Sequence, residues 1–227
     1  MVMKNRKKIL IISLTLLASF TCAAETVTKG MKKVIDDALD FSVKQSMSMF
    51  YEMKDQKGIL PRTAENGKMI TCESAWWTSG FYPGTLWYCY EYSNDPQIRA
   101  AAEEMTSRVE KQKYTTSNHD VGFIINCSFG NGYRLTHNET YRKVIETAAK
   151  SLSTRFHPVT GCTRSWNSKK WQFSVIIDNM MNLELLNVAS SLTGDNTYYN
   201  MAKSHADRTM INHFRPDGSS YHVVSYD

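Results

Sequence analysis

No Gly-x-x-x-x-Gly-Lys phosphate loop, no Gly-x-Gly-x-x-Gly dinucleotide fingerprint and no Gly-x-Ser-x-Gly elbow occurs in the 227 residues. The sequence therefore lacks the usual marks of nucleotide chemistry and of α/β-hydrolase serine chemistry. Metal ligands are not clustered either. His205 and His213 stand eight apart with no third partner in phase, and His137 and His157 lie near turns, so neither a metal nor a cofactor is expected. Cys72, Cys89, Cys127 and Cys162 are too widely spaced for a metal or disulfide framework. Cys89 and Cys127 fall in apolar helical stretches, where a thiol acts as a small buried hydrophobe. The apolar run Ile9 to Phe20 is about a dozen residues, too short to cross a hydrocarbon core of about 30 Å as a helix. No membrane span is expected.

That run has a basic lead (Lys4, Arg6, Lys7, Lys8) and is followed by the small residues Cys22-Ala23-Ala24. The order reads as a secretory signal peptide over residues 1–24, which implies export to the periplasm or surface of a bacterium. Cys22 also admits a lipid anchor, although Phe20 and Thr21 stand where small residues would precede a lipidated thiol. Removing the leader takes four of the 27 basic residues and leaves 23 against 22 acidic ones. No basic stripe remains, and nucleic acid is not expected as a partner.

Residues 25–227 read as part of one domain made of repeats. Gly80-Phe81-Tyr82-Pro83-Gly84 opens an aromatic helix that ends near Asn94-Asp95, and a polar helix from Pro96 to Lys113 follows. His119 to Phe123 opens an apolar stretch ending near His137-Asn138, followed by an amphipathic helix from Glu139 to Phe156. Ile177-Asp178-Asn179 opens a helix through Leu192, then the turn Thr193-Gly194-Asp195 and a helix from Asn196 to about Phe214. Each unit is an apolar helix, a turn with Asn or Asp placed to cap, and an amphipathic helix. Strand patterns are scarce. Helical hairpins with more apolar inner members predict an all-α toroid, with an αα solenoid as the second reading.

Asp120 and Asp178 stand 58 positions apart, each at the start of an inner helix. Taken singly, either is an N-cap. Taken together, in a ring of hairpins they face the same mouth. Apolar neighbours and a like charge would then raise a carboxyl pKa into the range of an acid/base residue. Trp76, Trp77, Phe81 and Tyr82 precede the first inner helix, and Trp166 and Trp171 the third. Trp77 and Trp166, in Ser-, Gly- and Asn-rich segments, read either as core or as platforms for a sugar ring, whereas Trp87, inside a helix, reads as core. His119, beside Asp120, and His222 read either as satisfied polar groups or as site residues.

Five motifs resemble, in order and spacing, the unsaturated glucuronyl hydrolases of glycoside hydrolase family 88. They are Ser79 to Gly84, His119 to Phe123, Ser128 to Tyr133, Ile176 to Asn182 and Asp217 to His222. The resemblance runs from about residue 35 to the end, and Ile-Ile-Asp-Asn-Met-Met-Asn is its most specific part. It implies an (α/α)6 barrel acting on oligosaccharides left by polysaccharide lyases, which carry a 4,5-unsaturated uronic acid at the non-reducing end. The implied reaction hydrates that double bond, and the hemiketal collapses to release the next sugar. By motif, Asp178 would protonate C4 and activate the water that adds at C5, with Asp120 assisting. His119, Trp77, Phe81, Trp166, His222 and Asn179 would bind the substrate. At about 45 to 58 residues per hairpin, the chain holds roughly half of six hairpins. The barrel is therefore expected to be incomplete here, with residues 25–227 its N-terminal part. The alternatives are an unsaturated rhamnogalacturonyl hydrolase on pectin fragments, an inactive or sugar-binding fragment, and a helical scaffold. Oligomeric state is not legible.

Overall fold

A computed structural model describes residues 28–226. The leader and Cys22 lie outside the described residues. The chain divides into two compact units, Met1–Ala38 and Leu39–Asp227. Helix α1 (Lys29–Met53) begins in the first, where the exposed pairs Lys32–Asp36 and Lys33–Asp37 close i to i+4 and add a few tenths of a kcal/mol each.

In the second unit, the hairpin β1 (Ile59–Glu65) and β2 (Lys68–Glu73) precedes a 3₁₀ turn at Trp77–Gly80. Three helical hairpins follow. The first is α2 (Phe81–Ser93) with α3 (Pro96–Ser107). The second joins α4 (Val121–Ile125), a π turn (Asn126–Gly130) and α5 (Asn131–Thr136) to α6 (Glu139–Ser153). The third sets α7 (Asn179–Asn182) and α8 (Glu184–Thr193) against α9 (Asn196–Asn212).

The repeat is written into the three hairpin turns. Asn94, His137 and Gly194 each end an inner helix in the left-handed region, at φ of 54°, 53° and 75°. The next residue, Asp95, Asn138 or Asp195, accepts the N2 amide of the outer helix at 2.8, 2.9 and 2.8 Å. The residue before each turn, Ser93, Thr136 or Thr193, accepts the capping residue's own amide at 3.1–3.3 Å. One grammar thus satisfies both helix ends. Replacing Asp195 by Ala removes the cap and lowers stability, checked by denaturant unfolding.

Between the hairpins lies an apolar core in which Ile124, Ile125, Phe129, Ile145, Ala148, Leu152, Leu185 and Ala189 are buried. A second cluster gathers Met53, Leu86, Trp87 and Met105, and Trp87 satisfies its indole N–H on Thr106 Oγ1 at 2.9 Å.

Several boundaries depart from the sequence reading. The helix expected through Lys113 stops at Ser107, and a 3₁₀ turn covers Glu110–Tyr114. Arg108 turns away to donate to the carbonyls of Lys54, Gln56 and Ile59 beyond the end of α1. The all-α expectation also passes over small antiparallel pairs. Besides β1–β2 these are β3 (Phe156–His157) with β4 (Cys162–Thr163), and β5 (Ser174–Ile176) with β6 (Val223–Ser225). No helix among the described residues is long and apolar enough to cross a membrane.

Candidate active site

Asp120 and Asp178 sit at the N-cap positions of α4 and α7, but neither makes a side-chain cap hydrogen bond. In this they differ from Asp95, Asn138 and Asp195, whose side chains do cap. Both converge on His119. Its Nε2 lies 3.4 Å from Asp120 Oδ1 and 4.0 Å from Asp178 Oδ1. Asp178 Oδ1 is itself buried and without a hydrogen-bond partner, a rare state for a carboxylate oxygen.

His119 is 2 % exposed. Its backbone amide donates to Ser165 O at 2.9 Å, and its Nδ1 faces Asn182 Nδ2 at 3.4 Å. An amide nitrogen only donates, so Nδ1 accepts and the ring proton resides on Nε2, toward the carboxylates. Burial, with a smaller push from Arg155, drops its pKa to about 4, against a hydrogen bond that the ring donates to the Asn179 side chain. The ring is neutral at physiological pH.

Asp120 is pushed up to about 6, first by burial and then by the charge of Asp178, while Arg155 pulls it down. Burial raises Asp178 as well, opposed by His222 and by the backbone N–H groups of Asp178 and Asn179. A raised carboxyl pKa means that stability is lost as pH rises from the ordinary value of 3.8 toward about 6, and the cost of holding Asp120 ionised is fully present above that. Asp178→Asn removes a like charge, so the Asp120 midpoint moves down. Arg155→Met removes a cation, so it moves up. Carboxyl-selective ¹³C NMR titration reads both.

Aromatic rings lead outward from this centre. Phe123 lies 6.5 Å from His119, 6.2 Å from Trp77 and 5.5 Å from Phe81, centroid to centroid. Trp77 is 44 % exposed and offers a free face. Trp166 reaches the site through the backbone, bridging Asn118, whose side chain accepts the Asp120 amide at 3.0 Å. Its ring contacts Trp171 at 6.4 Å rather than the Trp77 group. His222 arrives by strand pairing: Ile176 faces Val223, and Ile177 N donates to His222 O at 2.9 Å.

Asn179 behaves differently from the expectation that placed it at the substrate. It is fully buried, and its amide donates to Thr163 O at 2.7 Å and Ser165 Oγ at 3.3 Å. In this position it braces the Thr163–Ser165 segment.

Three contributors were not singled out from sequence. Asn182, fully buried, accepts the Phe123 amide at 2.7 Å and holds His119. Phe123 joins the tryptophan wall to His119. Arg155 donates to the carbonyls of Arg164 and Thr116 at 2.8 and 2.6 Å. Asn182 and Phe123 lie inside the quoted motifs, whereas nothing local marks Arg155. No group of three His, Cys, Asp or Glu among the described residues is arranged to hold a metal ion.

Helical hairpins whose inner helices open on an acidic pair, walled by tryptophan and phenylalanine, define an α/α-toroid protein. No protein-family model matches the chain. It is 47 % identical over 154 residues to an unsaturated glucuronyl hydrolase of Formosa agariphila, covering 66 % of this chain and 38 % of that protein. An unsaturated chondroitin disaccharide hydrolase of Streptococcus pyogenes is 33 % identical over 200 residues, covering 85 % and 49 %. The crystal structure of an unsaturated glucuronyl hydrolase specific for heparin superposes with a TM-score of 0.78 at 42 % identity, over 85 % of this chain and 53 % of that one. The chain belongs to the unsaturated glucuronyl hydrolases of glycoside hydrolase family 88 and shares the hairpins of their (α/α)6 barrel. It spans about half the length of the relatives it matches.

Proposed function

We propose that the protein carrying this chain removes a 4,5-unsaturated uronic acid from the non-reducing end of glycosaminoglycan-type oligosaccharides by hydrating its double bond. The observation that carries this is the convergence of Asp120 and Asp178 on one neutral histidine, with Asp178 Oδ1 buried and unpaired. A protonated Asp178 delivers its proton to C4, and the carboxylate so formed takes a proton from the water that adds at C5. The product is a hemiketal. Its ring opens to a C5 ketone, and the hemiacetal left at C1 releases the next sugar. Asp120, held by His119, keeps the pair short of full ionisation. Trp77 and Phe81 receive the apolar face of the sugar.

The relatives support the substrate class by their names, which specify glucuronyl, chondroitin disaccharide and heparin. The basic lead, apolar run and small residues at 22–24 support export.

The test follows ultraviolet absorbance of the double bond in unsaturated chondroitin, heparin and hyaluronan disaccharides. It uses the chain and any longer product of the same gene. Loss of absorbance with release of the second sugar is expected. If every disaccharide stays intact with both forms, the proposal fails. Because the acid must carry a proton, turnover falls as pH rises through the pair's upper titration near 6, read from a kcat–pH profile.

A further inference from the structure

Where α9 meets β4, three buried polar side chains stand in one line. His205, Thr209 and His213 follow one another at intervals of four, which sets them about 6 Å apart on one face of the helix. They are 0 %, 3 % and 0 % exposed. One polar atom of each, His205 Nε2, Thr209 Oγ1 and His213 Nε2, is buried without a hydrogen-bond partner, and so is Thr163 Oγ1 on β4. Buried polar atoms in folded proteins are almost always paired, and none of these takes part in the proposed reaction. The group is tied at both ends to the candidate site. Thr163 O accepts Asn179 Nδ2 at 2.7 Å, next to Asp178. Tyr221 precedes His222, whose carbonyl receives the Ile177 amide at 2.9 Å, one residue before Asp178.

The other nitrogen of each ring fixes its proton. Thr163 N donates to His205 Nδ1 at 2.9 Å, so Nδ1 accepts and the ring proton is on Nε2. His213 Nδ1 lies 3.3 Å from Tyr221 O. A carbonyl only accepts, so His213 carries its proton on Nδ1 and leaves Nε2 as a bare acceptor. Burial holds both rings below the usual histidine range, His205 at about 4, and each is neutral near pH 7. The line therefore runs from a donor, His205 Nε2–H, through the Thr209 hydroxyl, which does both, to an acceptor, His213 Nε2. Direct bonds do not close it. A water molecule that accepts and donates at about 2.8 Å spans two groups about 5.5 Å apart, the scale of one helical turn. Buried water typically bonds about three such polar groups.

We propose that buried water bridges His205, Thr209 and His213, and that the bridged line positions Asp178 by holding Thr163 on one side and Tyr221-His222 on the other. The water site stands on these contacts alone, whereas the positioning role rests on the proposed hydration. A high-resolution crystal structure of the protein is expected to show ordered water between Thr209 Oγ1 and each Nε2, within hydrogen-bond reach of both. Long-range ¹H–¹⁵N spectra of histidine-labelled protein are expected to show the Nε2–H form at His205 and the Nδ1–H form at His213. Dry packing along the line, or the opposite tautomer at either ring, overturns the site. Thr209→Val keeps the shape and removes the hydroxyl. It is expected to lower kcat on an unsaturated disaccharide about tenfold with KM unchanged, since a misplacement of about 1 Å costs up to about 10²-fold. Thr209→Ser, which keeps the hydroxyl, restores kcat. An unchanged kcat in Thr209→Val, or an equal loss in Thr209→Ser, overturns the positioning role. If the parent protein turns over no substrate, the hydration reading has failed and the positioning role falls with it. The crystal structure and the tautomers still decide the water site.

Discussion

Asp178→Asn lowers kcat on an unsaturated disaccharide by about 10²- to 10⁴-fold, the usual worth of a positioned acid/base group, while KM moves by no more than a few-fold. The substitution keeps shape and volume and removes the proton that must reach C4. It costs little in folding, because Asp178 Oδ1 has no hydrogen-bond partner to lose and no cap bond is broken. A thermal melt within a few degrees of the parent protein, together with the loss in kcat, separates chemistry from structure. A helical scaffold that merely displays these hairpins would be untouched by the change. Asp120→Asn also lowers the rate, but by a different route. It leaves a neutral amide oxygen in place of the carboxylate 3.4 Å from His119 Nε2 and removes the charge that couples to Asp178.

Gly122→Ala produces a large structural effect. A Cβ at Gly122 would come within 2.5 Å of Asn182 Oδ1 and 2.6 Å of Asn182 Cα, so α4 and α7 must move apart. Overpacking of this kind costs about 1–3 kcal/mol. The shift also strains the two contacts that Asn182 makes, to the Phe123 amide and to His119, and a buried polar group left unpaired costs about 1–3 kcal/mol more. At roughly 2–4 °C per kcal/mol for a domain of this size, the melting temperature falls by about ten degrees. Turnover falls with it, because His119 no longer fixes the two carboxylates. Gly30→Ala is the control. Its Cβ would meet nothing within 4 Å, and in an exposed helix the change is neutral or stabilising. Differential scanning calorimetry of both variants makes the comparison. Equal melting temperatures would show that the α4–α7 approach is not tight.

The contrast between these residues explains what could be read from sequence. The hairpin turns were legible because their physics is local. A left-handed C-cap followed by Asp or Asn needs only neighbours within two residues, as at Asn94-Asp95 and Gly194-Asp195. Asp120 and Asp178 were legible as a pair through their place in the repeat. Their freedom from capping was not, since the same residue at the same position caps elsewhere in this chain. Long-range pairings left no local mark. Nothing near Arg155 shows that its guanidinium reaches back to Thr116 O, and nothing near Val223 shows that it pairs with Ile176 and brings His222 to Asp178. Nor did anything local show that the Asn179 amide donates to Thr163 O and Ser165 Oγ.

The most direct measurement runs the reaction in D₂O and follows absorbance of the double bond, release of the second sugar and NMR of the products together. Hydration predicts that absorbance is lost as sugar is released, in equal amounts, with deuterium entering at C4 and both signals suppressed in Asp178→Asn. Release of the second sugar with the double bond intact and no deuterium at C4 would instead mean direct hydrolysis at C1, and would contradict the role given to Asp178.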